Sequence, residues 1–223
     1  MKRKVWLSSL LSGAAAVALQ AHADMITYDI NVPNTALSSL TGPYATVTVD
    51  LTSSTMATIT FASDIVGGNI YLLGDGSSVD VNVNAASWTL SNILGSNAGT
   101  GFTPGPWSDS GSGNVSAFGV FNQTITSFDG FTHSSDTISF DLQNTSGTWA
   151  NAGDVLTANA GGNTVAAHIF VTSNPANAAN GALVTGFATD DGAPTVPDAA
   201  STLGLLGLAL TGVAGLRRHL VKA

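Results

Sequence analysis

The 223-residue chain contains no cysteine and no glutamate, and its six lysines and arginines all lie near its two ends. No basic side chain other than histidine occurs between Val5 and Leu216. Without cysteine the chain cannot use disulfide bonds, so its fold must depend on a hydrophobic core and on backbone pairing. Without a basic patch, nucleic acid and anionic lipid surfaces are excluded as expected partners, because both carry negative charge.

The acidic residues are all aspartates, and 13 of the 14 lie between Asp24 and Val196. That segment has the length of one domain with a substantial core. Its carboxylates have no lysine or arginine within the segment to pair with. Solvent cations, a bound metal or a partner must therefore supply most of the counter-charge.

The first 23 residues have the layout of a secretory signal peptide. Basic residues at 2–4 precede an apolar stretch at 5–19, and Ala21 and Ala23 provide the small residues of a cleavage site. We therefore predict cleavage by signal peptidase, with Asp24 as the mature N-terminus.

The chain ends in an uncharged run of 18 residues, 199–216, followed by Arg217 and Arg218. As a helix this run would rise about 27 Å, close to the roughly 30 Å of a bilayer's hydrocarbon core. The two arginines predict a stop-transfer signal with the C-terminus in the cytoplasm and the body outside the inner membrane.

A short motif begins directly before this run and extends into its first residues. Its candidate residues are Val196, Pro197, Asp198, Ser201 and Thr202. The tail resembles the VPDSG-CTERM variant of the PEP-CTERM sorting signal in three features: the motif, the glycine-containing apolar run and the terminal arginines. It departs from that variant at 199–200, where two alanines stand in place of the expected Ser-Gly. The resemblance implies a protein that is anchored by its tail and processed near the motif by an exosortase. It also implies a Gram-negative host that makes exopolysaccharide.

Apolar and polar residues alternate along much of the body, which predicts half-buried antiparallel strands. The clearest alternation lies at 26–32, 47–51, 57–61, 79–83 and 138–142, and further candidate strands are 69–73, 87–93, 115–126, 166–172 and 183–189. We predict an all-β fold, an antiparallel β-sandwich of which a jelly roll is one form, with an irregular solenoid as the alternative. The glycine- and serine-rich segment 95–114 is predicted to be one long exposed loop.

These patterns divide the chain into four parts. We expect a signal peptide at 1–23, a β-sandwich domain at 24–189, a linker at 190–195 and a sorting signal at 196–223. Prolines on both sides of Thr195 favour an extended linker.

Aspartates near strand ends suggest calcium as the one cofactor to consider. Residues 80–84 repeat the first half of the EF-hand spacing, but alanine and serine stand where that loop needs glycine and glutamate. A different calcium site could combine Asp75 with Asp80, or Asp190 with Asp191. The alternative is that these aspartates shape turns without any metal.

No catalytic motif accompanies the two internal histidines, His133 and His168, so we do not expect an enzyme. Trp107 lies in a Gly-Pro loop and is a candidate for stacking on sugar rings; the alternative is that it fixes its own loop to the domain. Other aromatic candidates are Tyr44, Trp88 and Trp149.

The sequence therefore predicts an exported structural or adhesive protein of the cell surface or the biofilm matrix, associated with exopolysaccharide. A carbohydrate-binding module and a secreted polysaccharide-degrading enzyme are the alternatives.

Overall fold

The computed structural model of the protein describes residues 24–127, 130–192 and 194–195. The signal-peptide prediction, with Ala21 and Ala23, and the tail from Val196 to Arg217 and Arg218 lie outside the described residues. Strand and bridge residues make up 53% of the described residues, and the sheets are antiparallel, which confirms the all-β prediction. In the part of the chain that is described, no helix has the length and apolar character needed to cross a membrane.

Thirteen strands and four short 3-10 helices are found among the described residues. The strands are β1 (Asp24–Ile30), β2 (Val32–Pro33), β3 (Ala45–Ser53), β4 (Met56–Ser63), β5 (Ile65–Val66), β6 (Asn69–Leu73), β7 (Val79–Val81), β8 (Trp88–Ser96), β9 (Ser108–Val115), β10 (Gly119–Thr126), β11 (Thr137–Asn144), β12 (Val165–Ser173) and β13 (Val184–Thr189). The 3-10 helices are Thr35–Leu37, Phe131–His133, Ala152–Asp154 and Ala178–Asn180.

Five strands form one antiparallel sheet in the order β1-β3-β4-β11-β8. Its register brings apolar residues side by side on one face: Ile26 lies opposite Val49, Val49 opposite Ile59, and Ile59 opposite Phe140. Since side chains alternate between the two faces of a strand, the neighbouring residues form a polar outer face. One row of that outer face is Thr27, Thr48, Thr60 and Ser139.

The other eight strands form a second sheet with the main order β2-β13-β12-β7-β10-β9; β6 also pairs with β12, and β5 pairs with β6. The odd-numbered residues of β12 from Val165 to Val171 point into the main core. Ala166 and Phe170 instead belong to two smaller clusters on the opposite face.

The apolar faces of both sheets share one hydrophobic core. Phe61 and Phe140 from the five-stranded sheet belong to the same cluster as Leu73 and Ile169 from the other. Tyr44 and Tyr71 are both fully buried and meet edge to face, with ring centroids 4.9 Å apart. Burial of this apolar area is the main stabilising term available to a chain without disulfides.

Two predictions on chain segments were wrong. Residues 115–126 do not form one strand: β9 ends at Val115, a turn follows, and β10 begins at Gly119. Apolar residues lie on both sides of that turn, so the pattern conceals it. Residues 95–114 are not one exposed loop, because β8 extends to Ser96 and β9 begins at Ser108.

Candidate functional site

The end of the described chain is held against the outer edge of the five-stranded sheet. Thr27 and Thr195 form an antiparallel β-bridge. The Thr27 N–H donates to the Thr195 carbonyl at 2.9 Å, and the Thr195 N–H donates to the Thr27 carbonyl at 2.7 Å. The two hydroxyl oxygens lie 2.5 Å apart.

Residues 190–195 were predicted to be an extended linker, and the described part of this segment is attached to the domain. Asp190 is 1% exposed, and its Oδ1 accepts hydrogen bonds from the backbone N–H groups of Thr164 at 2.8 Å and Val165 at 3.0 Å. The Gly192 N–H donates to the other oxygen at 3.1 Å. Because this carboxylate satisfies several donors, it fixes the chain at the point where β13 ends.

The two ends of the described domain lie along the same edge strand. Asp24 is the first residue of β1, and Thr195 pairs with Thr27 in the middle of β1. The bridge is antiparallel, and the Asn31 N–H, just beyond the far end of β1, donates to the Thr189 carbonyl. The described chain therefore passes from the Ile30 end of β1 towards the Asp24 end as it approaches Thr195.

An open cleft of about 450 Å³ lies at the opposite end of the five-stranded sheet. Ser63 and Thr137 line it, and both belong to the strand ends far from Asp24 in the register of the sheet. Its apolar floor includes Ile70 and Leu72. The volume is within the range of small-ligand sites.

The rim of this cleft is uncharged except for one carboxylate. Asp136 accepts hydrogen bonds from the Ser96 hydroxyl at 3.0 Å and from the Ala98 N–H at 2.7 Å, so it holds the following loop in place. Thr100 and Asn174 also line the cleft and are exposed. Hydroxyl and amide groups around an apolar floor suit a neutral ligand that carries many hydroxyl groups.

A family model described as VPDSG-CTERM motif matches residues 195–220. The tail carries a VPDSG-CTERM motif. It is consistent with a sorting domain of the PEP-CTERM type, and it suggests an exported protein that is processed at the membrane by an exosortase. The match begins at Thr195, the residue that pairs with Thr27, and includes Arg217 and Arg218. Searches among curated proteins and among solved structures matched nothing.

Outside the VPDSG-CTERM motif, Trp107 is the sugar-binding candidate, and its surroundings favour a structural role. Its ring packs against the main core and crosses β8 at Gly95. A Cβ atom at Gly95 would lie 2.5 Å from Trp107 Cζ2 and 2.8 Å from the Thr137 carbonyl oxygen. The indole therefore fixes the loop that follows β8 to the sheet, and its half-buried ring offers little free face for a ligand.

The other three aromatic candidates differ in how deeply they are buried. Tyr44 is fully buried, and Trp149 is 2% exposed with its indole N–H donating to the Asn84 carbonyl at 2.8 Å. Trp88 is half-buried and donates to Gln123 Oε1 at 2.9 Å. Tyr44 and Trp149 cannot present a ring face to a sugar, which corrects the prediction for these two residues.

The calcium candidates lie in dissimilar surroundings. Asp75 is a turn residue with a φ of 68°, whereas Asp80 is 1% exposed and accepts a hydrogen bond from the Thr124 hydroxyl at 2.6 Å. Asp190 is committed to backbone donors, and Asp191 lies 3.5 Å from the Asn31 side-chain nitrogen. Within the described ranges, no group of three or more His, Cys, Asp or Glu side chains could hold a metal ion.

His168 makes one contact that the sequence did not predict. Its Nε2 lies 2.7 Å from the Thr185 hydroxyl, and its Nδ1 lies 3.1 Å from the Gly76 carbonyl oxygen. Burial lowers the pKa of His168, and the Gly76 carbonyl and Asp75 partly oppose that shift. A neutral ring would donate through Nδ1 and accept the Thr185 proton at Nε2, which is the arrangement of a base with a hydroxyl nucleophile.

The His168 ring is stacked between Phe170 and Phe187, at centroid distances of 5.2 and 4.3 Å. His133, the second histidine, lies elsewhere, with Nδ1 2.6 Å from the Gly105 carbonyl oxygen. Sequence spacing provided no signal for Thr185, because pairing between β12 and β13 creates the contact.

Proposed function

We propose that the protein is an exported structural or adhesive domain of the cell surface or extracellular matrix, delivered through its sorting signal. The observation that carries the proposal is the match at residues 195–220. Export by the N-terminal signal peptide, anchoring by a helix at 199–216 and release near Val196 by an exosortase are parts of the same proposal.

The position of Asp24 and Thr195 along the same edge strand supports this topology. A precursor that has both its signal peptide and its tail in one membrane needs both segments to leave the domain on the same side. The antiparallel bridge between Thr27 and Thr195 meets that requirement. The cleft near Ser63 and Thr137 would then face away from the membrane.

We interpret the two sheets and their shared core as a β-sandwich. This architecture gives a rigid, disulfide-free body for use outside the cell, where an adhesive or matrix protein acts. Its acidic surface, which has no lysine or arginine between Val5 and Leu216, would be compatible with divalent cations bridging it to other acidic polymers.

The test is the intact mass and cell fraction of the mature protein in its native host, for the parent chain and for a variant with alanine at Val196, Pro197 and Asp198. We expect the parent to begin at Asp24, to lack Arg217 and to lie outside the inner membrane, and the variant to keep its tail. A parent protein that retains Arg217 in the inner membrane would refute sorting.

Carbohydrate binding is the second candidate, and the outward cleft favours it. We expect Asn174→Ala and Thr100→Val to reduce retention of the domain on purified neutral exopolysaccharide. Thr60→Val on the outer sheet face is the matched control, since Thr60 does not line the cleft. A parent domain that is not retained would exclude this candidate.

The proposal includes no catalytic activity. The contact between His168 and Thr185 allows a test for hydrolase activity. Thr185→Val would remove the hydroxyl group that contacts His168 Nε2. We expect a panel of polysaccharides and esters to remain intact with the parent protein. Turnover that disappears in Thr185→Val would replace the proposal with a hydrolase.

A further inference from the structure

The free edge of β1 holds one residue from the far end of the domain. On its other side β1 is paired with β3 through seven residues, from Asp24 to Ile30. The free side carries Thr195, with reciprocal backbone hydrogen bonds at 2.9 and 2.7 Å. This is strand addition to a sheet edge, in which main-chain hydrogen bonds supply the affinity.

The sequence limits how far this added strand can continue beyond Thr195. In an antiparallel ladder the next hydrogen-bonded pair lies two residues away, so residue 197 would have to donate an N–H to residue 25. Residue 197 is proline and has no N–H to donate. The pairing therefore cannot be repeated within the sorting motif.

A peptide-cleaving enzyme needs the backbone groups of its substrate for its own site. The N–H and the carbonyl of Thr195 are already engaged with Thr27, and cleavage at or before Thr195 would require both hydrogen bonds to break. Asp190, buried and bonded to Thr164 and Val165, holds the chain just upstream.

We propose that Thr27 is a positioning residue for tail processing: by pairing with Thr195 it directs cleavage to the peptide bonds after Thr195. The mature protein then retains Thr195 as part of the sheet edge. This inference rests on the proposed sorting, and it adds a limit on the cleavage position that comes from the folded domain.

Thr27→Pro is the variant that tests the pairing without altering the tail. It removes the N–H that Thr195 accepts and leaves the ladder with β3 possible, because that N–H points away from β3. Met25→Pro is the matched control, since residue 25 lies on the same edge two residues before Thr27, at the position where residue 197 has no N–H to donate. Thr27→Val keeps the backbone pair and removes only the hydroxyl contact.

The first readout is limited proteolysis of the full chain in detergent with a protease of broad specificity, followed by intact mass. We expect the first stable product of the parent, Thr27→Val and Met25→Pro to end at Thr195 or later. In Thr27→Pro we expect ends within 191–194. Identical ends in the parent and Thr27→Pro would overturn the proposal.

The second readout is the mature C-terminus in the native host. A parent protein that ends before Thr195 would overturn the proposal even if sorting occurs. A tail that stays intact in the host would refute both the sorting and the positioning role. If Thr195 is still protected from the protease in that case, the contact between Thr27 and Thr195 exists but does not direct processing. If Thr27→Pro does not fold, hydrogen exchange on the parent decides, because a Thr195 amide that exchanges as fast as a free peptide would also overturn the proposal.

Discussion

Replacing Asp80 with asparagine should stabilise the domain more at pH 8 than at pH 5. Asp80 lies on β7 between two core valines, and it is 1% exposed. Its Oδ1 accepts the Thr124 hydroxyl at 2.6 Å, while its Oδ2 is buried and has no hydrogen-bond partner. Burial raises the pKa of Asp80 to about 7, although the nearby hydroxyl groups of Thr124 and Ser77 oppose the shift.

The sign and size of the effect follow from that pKa. The folded state binds the Asp80 proton more tightly than the unfolded state does, so folding is favoured at low pH. The free energy of unfolding should fall as the pH rises from about 4, the ordinary value for aspartate, to about 7. Three pKa units correspond to about 4 kcal/mol in total, of which about 3 kcal/mol is lost between pH 5 and pH 8.

Urea denaturation at pH 5, 6, 7 and 8 measures this difference. The side chain introduced by Asp80→Asn does not titrate, so the stability of the variant minus that of the parent should rise by about 3 kcal/mol across the series. Any cost of its unpaired amide is the same at every pH. Asp50→Asn removes an exposed negative charge and serves as the control for general charge repulsion. A difference between Asp80→Asn and the parent that stays constant with pH would refute the reasoning.

Three further results are expected. Asp190→Ala leaves the backbone donors of Thr164 and Val165 unsatisfied in the interior, so it should lower the free energy of unfolding by about 3 kcal/mol in urea; an unchanged midpoint would contradict the anchoring role. Gly95→Ala should lower the melting temperature by several degrees, because the new methyl group would meet the Trp107 ring and the Thr137 carbonyl oxygen, and Trp107→Ala should relieve only the part of that penalty that comes from the ring. If calcium binds the folded domain, millimolar calcium should raise the melting temperature and a chelator should reverse the rise; identical melts would remove calcium from consideration.

Strands with one buried face could be predicted from the sequence because burial imposes alternation. β1, β3, β4 and β11 follow that rule, with every second residue in the core. β9 could not be predicted in this way. It is rich in glycine and serine, is largely exposed and pairs only with β10 at the edge of its sheet.

The candidate sites differed in whether a local pattern could reveal them. The sorting motif is a local pattern, so its residues could be recognised directly. Thr27 and Thr195 are 168 positions apart, and no local pattern indicates that they meet. Trp107 shows a further limit, because a tryptophan directly after a Gly-Pro step suggests exposure, whereas the missing side chain at Gly95 gives its ring a place against the sheet.

The position of Thr195 also determines how the anchored domain would respond to mechanical load. While the tail remains in the membrane, a pulling force enters the fold at Thr195 and meets a single β-bridge before it reaches the buried Asp190. Breaking that bridge would release residues 191–195, about 17 Å of extended chain, while the β12–β13 ladder stays closed. The domain would thus yield first by lengthening its tether, and it would keep its core and outward cleft intact under moderate shear.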